Sequence, residues 1–167
     1  STIPSRTANS INVMKMCDSF ANIGKDVTLV HPKIDDCFSS SDDFDIHDFY
    51  NTSGAFDMVS LSTIVPFKYR IGKWVYAVIA GFYIFFLNPN VVYSRSILSC
   101  YVALILRRSV IYECHQEDWA RSVLHKYIFV RILKHSNLLK VVAISNALKM
   151  IIINSFKSYN PTHKIIV

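Results

Sequence analysis

The alternation of short apolar runs with longer helix-like segments is the feature that most constrains how this chain can fold. Runs rich in valine, isoleucine and tyrosine recur along the sequence, and stretches with apolar residues at helical spacing separate most of them. Strands that are apolar almost throughout are typical of parallel sheets covered on both faces. We therefore predict an α/β fold, a Rossmann-like doubly wound parallel sheet with helices on both faces. The predicted strands are residues 26–32, 56–61, 91–94, 110–114, 140–144 and 164–167.

Helices are predicted before and between most of these strands. The first runs from Ile11 to Ile23, with Ser10 as its N-cap and Gly24 as its C-cap. The others are expected over residues 71–87, 97–106 and 119–133, and from Ser145 to about Phe156. The segment 33–55 is polar and rich in aspartate, which predicts a solvated loop, and the aspartate spacing fits no calcium-binding loop.

One long apolar stretch raises the question of a membrane. Trp74–Leu87 is continuously apolar, but a membrane-spanning helix needs about 20 such residues, and Asn88-Pro89 ends this one early. We therefore predict a buried helix packed on the sheet, or an interfacial segment, and not a membrane span.

Composition bounds the class of protein. A length of 167 residues suits one domain, and 51% hydrophobic residues exclude a disordered chain. The formal charge of +6 favours anionic partners without choosing among them, and the sequence has no basic stripe interleaved with aromatics that would indicate nucleic acid. Four cysteines without a CxxC pair favour free thiols in a reducing, cytosolic compartment and no structural zinc.

Both ends of the sequence resemble positions inside a longer chain. The chain opens in a loop that leads into a helix, although a strand normally precedes the first helix of a doubly wound sheet. It stops within its last predicted strand. We therefore expect residues 1–167 to be one Rossmann-like domain of a longer protein, with the first strand missing.

The candidate site follows from topology. Ligands of open parallel sheets bind beyond the carboxyl ends of the strands, and helix N-termini lie at the same edge. Polar residues concentrate at these positions: Ser1–Ser10, His31-Pro32, Ser94-Arg95-Ser96, His115-Gln116-Glu117-Asp118 and Ser145-Asn146.

Each of these residues also has a structural interpretation. The loop Pro4–Ser10 with Arg6 could bind phosphate at a helix N-terminus or simply form a capped turn. His115 can donate a hydrogen bond to a ligand or serve only the fold, and Arg95 can form a surface ion pair or cap a helix. Glu113 is expected to be a half-buried carboxylate that needs a partner. No GxGxxG, P-loop, GxSxG or HExxH motif is present.

Several segments also match, in order and spacing, the motifs of one family. Residues 3–17 and 20–29 resemble its opening loop and first helix, 90–96 its "PDVVYSRS" strand end, 110–116 its "VVYEVHD", 141–149 its "ISEALK" helix entry, and 164–167 the strand before its "PNGVD" turn. The chain thus resembles the amino-terminal domain of bacterial group 1 (family four) glycosyltransferases of the GT-B fold. The similarity is weak over residues 33–87, and Gln116 stands where the family commonly has Asp.

The resemblance implies an enzyme whose two domains bind different substrates. It implies sugar transfer with retention from a nucleotide-sugar to a cell-surface polysaccharide or lipid-linked acceptor, with no cofactor. This domain would hold the acceptor, and a carboxyl-terminal domain outside the sequence would hold the nucleotide, so we expect the chain alone to be inactive. We expect catalysis to involve His115, through a hydrogen bond to a donor-sugar hydroxyl. Substrate binding is expected of Arg6, Thr7, Asn9, Ser10, Arg95, Gln116 and Ser145.

The expected partners and location follow from the same picture. The enzyme would work in the cytoplasm without nucleic acid, and basic charge together with the apolar segment fits peripheral contact with the inner membrane face. The alternative is a non-catalytic α/β ligand-binding module or a degenerate remnant of such an enzyme.

Overall fold

The computed structural model describes residues 3–33, 45–62, 70–159 and 161–167, without the side chains of Arg70 and His163. Cys37 and the rest of residues 34–44 in the aspartate-rich segment lie outside the described residues. The chain divides into two compact units, residues 1–76 and 77–167. All strand pairs among the described residues are parallel, which confirms the predicted α/β class. The assignment of residues 1–167 to one domain stays a prediction.

The first unit contains a helix followed by two paired strands. Helix α1 is Ala8–Asn22, strand β1 is Thr28–Pro32, helix α2 is Ile46–Tyr50 and strand β2 is Asp57–Leu61. Strand β1 pairs with β2 in parallel. The core lies between α1, α2 and the strands and consists of Ile3, Val13, Met14, Cys17, Tyr50 and Phe56, with partly buried apolar neighbours.

Helix α1 begins earlier than the sequence predicts. Its N-cap is Thr7, whose hydroxyl accepts a hydrogen bond from the Ser10 backbone N–H at 3.4 Å, so the expected N-cap role of Ser10 is wrong. Ser10 lies in the first turn, fully buried, with its hydroxyl 2.5 Å from that of Thr7. The C-cap is Ile23 and not the predicted Gly24, which follows it in the left-handed conformation with φ +78°.

The expected solvated loop contains a short helix in its described part. Asp45 caps α2 by accepting hydrogen bonds from the backbone N–H groups of His47 and Asp48. The Tyr50 hydroxyl donates to the Ser5 carbonyl at 2.7 Å and accepts from the Ser5 backbone N–H at 2.6 Å, so α2 holds the loop before α1 in place. The prediction of a solvated loop is therefore wrong for residues 46–50, which form a helix.

Helix α3, Arg70–Leu87, begins in the first unit and ends in the second. One face of its second half is buried through Ala77, Ala80 and Ile84, but Phe82 and Phe86 on the other side are 64% and 80% exposed. The predicted helix is confirmed, and it is buried on one side and exposed on the other. No helix in the described part of the chain is both long and apolar enough to cross a membrane.

The second unit is a four-stranded sheet in sequential order. Strands β3 (Val92–Ser94), β4 (Val110–Cys114), β5 (Leu138–Ala143) and β6 (Ile165–Ile166) alternate with helices α4 (Ile97–Ile105), α5 (Val123–Lys134) and α6 (Asn146–Ser155). A 3-10 turn, Asp118–Arg121, precedes α5, because Ser122 rather than an earlier residue provides the N-cap.

The helices α4, α5 and α6 cover one face of this sheet. Val110, Tyr112 and Cys114 of β4 are fully buried on that face. The rings of Phe129 in α5 and Phe156 at the end of α6 lie 5.1 Å apart, and α4 packs directly on α5. A sequential strand order with right-handed crossovers places successive helices on the same side, which explains the arrangement.

Candidate functional site

Three polar side chains meet at the carboxyl edge of the four-stranded sheet. Arg95 directly follows β3, Glu113 is the fourth residue of β4, and His115 directly follows β4. The register pairs Ser94 with Tyr112, so the ends of the two strands lie side by side. Parallel pairing thus brings together residues that are about 20 positions apart in sequence.

Glu113 lies at the centre of this cluster. Its Oε1 is 2.6 Å from His115 Nε2, and its Oε2 is 3.5 Å from Arg95 Nε. Oε2 is buried and has no hydrogen-bond partner among the described residues, so the contact with Arg95 is electrostatic. The sequence predicts that this carboxylate needs a partner, and the structure provides two, the Arg95 guanidinium and the His115 ring.

His115 has two competing neighbours. Arg95 Nε lies 2.8 Å from His115 Nε2, the same nitrogen that faces Glu113. One nitrogen cannot donate to a carboxylate and accept from a guanidinium at once. The cluster therefore has two alternative hydrogen-bond patterns: His115 Nε2 either donates to Glu113 or accepts from Arg95. A ligand that binds to Glu113 or to Arg95 would select between them. The imidazole is the most accessible of the three side chains, with 33% of its surface exposed.

Tyr93 borders the cluster on the β3 side. Its hydroxyl forms a hydrogen bond with the Glu113 side chain, and burial followed by the charge of Glu113 raises the pKa of this hydroxyl above its usual range. The tyrosine therefore remains a neutral hydrogen-bonding group at physiological pH.

A second buried carboxylate supports the loop that follows His115. Asp118 is 7% exposed and accepts a hydrogen bond from the Tyr112 hydroxyl at 2.7 Å. It also accepts from the Gln116 amide at 3.2 Å and pairs with Arg121 at 2.9 Å. Burial, then the charges of Cys114 and Asp118, raise the pKa of Tyr112 well above its usual value, so this hydroxyl remains a donor. Asp118 thus fixes the turn that presents His115.

The other predicted site residues divide between the units. Arg6 is exposed and lies over the Phe49 ring, 5.8 Å from its centroid, and Thr7 and Ser10 bond to each other at the start of α1. Gln116 lies next to His115 in the chain, and the Ser145 hydroxyl caps α6 by accepting from the Leu148 N–H at 3.2 Å. Arg6, Thr7, Asn9 and Ser10 belong to the first unit, and Arg95, His115, Gln116 and Ser145 to the second. A crevice shared by both sets stays a prediction.

The sequence predicts that Glu113 is a half-buried carboxylate and places Asp118 in the polar set after β4, but it assigns neither of them a partner. Strand pairing brings Glu113 to Arg95. The turn after β4 brings Asp118 to Tyr112, Gln116 and Arg121. Among the described residues, no group of three or more His, Cys, Asp or Glu could hold a metal ion.

Comparison with known proteins adds no relative. No protein-family model, no curated protein and no solved structure matches this chain.

Proposed function

We propose that this chain is the acceptor-side half of a retaining glycosyltransferase. It would transfer a sugar from a nucleotide-sugar to a cell-surface polysaccharide or lipid-linked acceptor in the cytoplasm, together with a carboxyl-terminal nucleotide-binding domain. The observation that carries the proposal is the cluster of Arg95, Glu113 and His115 at the carboxyl edge of a parallel sheet, where ligands of such sheets bind. The sequence resemblance supplies the class of reaction.

The chemistry of the cluster suits a sugar. A sugar hydroxyl is both a donor and an acceptor, so it can bond to the Glu113 carboxylate and to the Arg95 guanidinium or the His115 ring. In the proposed mechanism His115 orients the donor sugar through a hydroxyl and transfers no proton, and the departing phosphate acts as the base. Orientation of this kind lowers the barrier because the correct geometry exists before the reaction starts.

Saccharide binding by the chain tests the proposal. We expect saturation-transfer NMR to detect binding of acceptor-type oligosaccharides, and Arg95→Ala to reduce that binding about tenfold or more, as expected for the loss of a charge-assisted hydrogen bond. Lys126→Ala, which removes an exposed charge on α5, is the matched control and should bind as the unaltered chain does. Unchanged acceptor binding by the Arg95 variant would contradict its proposed binding role.

Activity separates the enzyme from its alternative. The chain alone should transfer no sugar from any nucleotide-sugar. In a protein that joins it to a nucleotide-binding domain, His115→Ala should lower kcat/KM by an amount equivalent to about 2–4 kcal/mol.

The alternative is a non-catalytic ligand-binding module or a degenerate remnant. It is favoured by the way Arg95, Glu113 and His115 bond to one another, which a purely structural cluster would also do. Such a module would bind its ligand and give no transfer in the joined protein.

A further inference from the structure

The charged residues are divided unequally between the two units. Residues 1–76 have seven Lys and Arg against nine Asp and Glu, whereas residues 77–167 have eleven against three. The three acidic residues of the second unit, Glu113, Glu117 and Asp118, all lie near the carboxyl end of β4. The opposite edge, where the strands begin and the helices end, has cations without acidic neighbours in the part of the unit that the structure describes.

Hydrogen bonds join the segments of this amino edge into one surface. Arg108 Nη2 donates to the Phe85 carbonyl at 3.2 Å and so links the end of α3 to the turn after α4. Asn137 Nδ2 donates to the Arg107 carbonyl at 2.6 Å and links that turn to the start of β5. Lys164 Nζ donates to the His135 carbonyl at 2.8 Å and adds the start of β6.

Large apolar side chains lie at one end of the same edge. Phe85 and Leu87 of α3 are 51% and 44% exposed, next to the more exposed Phe86, and Ile105 at the end of α4 is 59% exposed. Arg108 lies over the Phe85 ring, 5.8 Å from its centroid, and holds it beside the turn. A group of exposed apolar side chains rimmed by cations is typical of an interaction site.

We propose that this basal surface, formed by Phe82, Phe85, Phe86, Leu87, Ile105 and Arg107, docks onto an anionic lipid bilayer. Exposed aromatic and aliphatic side chains enter the boundary between headgroups and acyl chains, and adjacent arginines and lysines remain at the level of the lipid phosphates. The inference is independent of the proposed reaction, because the surface lies at the edge of the sheet opposite to Arg95 and His115.

Charge decides between a bilayer and other partners. A second copy of the chain would bring two cationic edges together, and like charges at an interface oppose association. Nucleic acid would satisfy the arginines but would leave Leu87 and Ile105 without an apolar partner. An anionic bilayer satisfies both kinds of side chain.

Vesicle co-sedimentation of the whole chain tests the inference. We expect binding to vesicles of phosphatidylcholine and phosphatidylglycerol in equal parts, weak binding to phosphatidylcholine alone, and weaker binding as salt is added. Phe86→Ser should weaken binding about tenfold through loss of inserted apolar area. Arg107→Ala should weaken it about fivefold, the usual effect of one cation near such a surface.

Matched controls come from the other edge of the same unit. Val123→Ser removes an apolar side chain that is 87% exposed, and Lys126→Ala removes a cation, both on α5 away from the basal surface. Both variants should bind as the unaltered chain does. Equal losses in Val123→Ser and Phe86→Ser would overturn the inference, and so would the absence of vesicle binding in a monomeric chain. A dimer that Phe86→Ser dissociates, or binding to RNA in place of vesicles, would overturn it in favour of those partners.

Discussion

Arg107 is held in a backbone conformation that usually belongs to glycine. Its φ is +58°, and the bonds from Arg107 N–H to the Leu104 carbonyl and from Arg108 N–H to the Ala103 carbonyl end α4 in a Schellman motif. Helix α1 ends in the same motif with Gly24 at the equivalent position. A left-handed conformation costs a residue with a Cβ about 1–2 kcal/mol. The arginine therefore occupies this position at a cost in stability, as expected if its charge serves binding.

Replacement of this arginine should separate stability from binding. Arg107→Gly relieves the left-handed strain, and part of that gain is offset because glycine is more flexible in the unfolded chain. We expect the free energy of unfolding to rise by about 0.5–1 kcal/mol, measured by urea denaturation followed by circular dichroism. Vesicle binding should fall at the same time. Arg107→Ala, which keeps the strain and removes the charge, should bind weakly without becoming more stable.

The reverse substitution in α1 gives an internal comparison. A Cβ at Gly24 would meet no heavy atom within 4 Å, so Gly24→Ala changes only the conformational energy. It should destabilise the chain by about 1 kcal/mol. A stabilising effect of Gly24→Ala would contradict the conformational explanation for both positions.

Among the elements, helices α3 and α4 pack closely because one residue of α3 has no side chain. A Cβ at Gly81 would overlap with Cγ1 of Val102 in α4, and would touch Cδ1 of Leu106 at 3.5 Å. Glycine inside a helix is unfavourable by about 1 kcal/mol relative to alanine. Packing against α4 therefore explains the glycine at position 81. This close packing sets the position of α3 and of its exposed phenylalanines relative to α4.

Gly81→Ala should destabilise the second unit despite the better helix propensity of alanine. Overpacking against a stiff, β-branched valine typically costs about 1–3 kcal/mol, which exceeds the propensity gain. The double variant Gly81→Ala/Val102→Ala makes room for the added methyl group and should recover much of the lost stability. Thermal unfolding of the single and double variants measures both effects. Additive losses in the double variant would show that the two residues do not meet.

The sequence predicts the strands and long helices because their apolar residues follow a clear period. It misplaces details that depend on a choice between equivalent polar groups, such as Thr7 or Ser10 as the cap of α1. It also misses α2, whose five residues are too few to show a helical period, although Ile46 and Tyr50 stand out as apolar in a polar segment. The exposed side of α3 is hidden from sequence because all its faces are apolar.

At the scale of the molecule, topology predicts where the candidate site lies but not how its members bond. The rule that polar residues gather at carboxyl edges places Arg95 and His115 correctly, since both directly follow strands. That Glu113 lies between them depends on β3 and β4 being neighbours in register, which no residue pattern specifies. The basal surface is a property of the whole unit, because its side chains come from the ends of α3 and α4, which the hydrogen bond from Arg108 to the Phe85 carbonyl joins.

The buried thiols give each unit its own chemical reporter. Cys17 is 6% exposed in the first unit, and Cys100 and Cys114 are fully buried in the second. Burial raises the pKa of Cys17 and of Cys114 to about 11, so neither thiol reacts readily while its surroundings stay closed. Alkylation of a given cysteine therefore records that the unit around it has opened. Peptide mass spectrometry at successive times measures the rate at which each unit opens, without an introduced label.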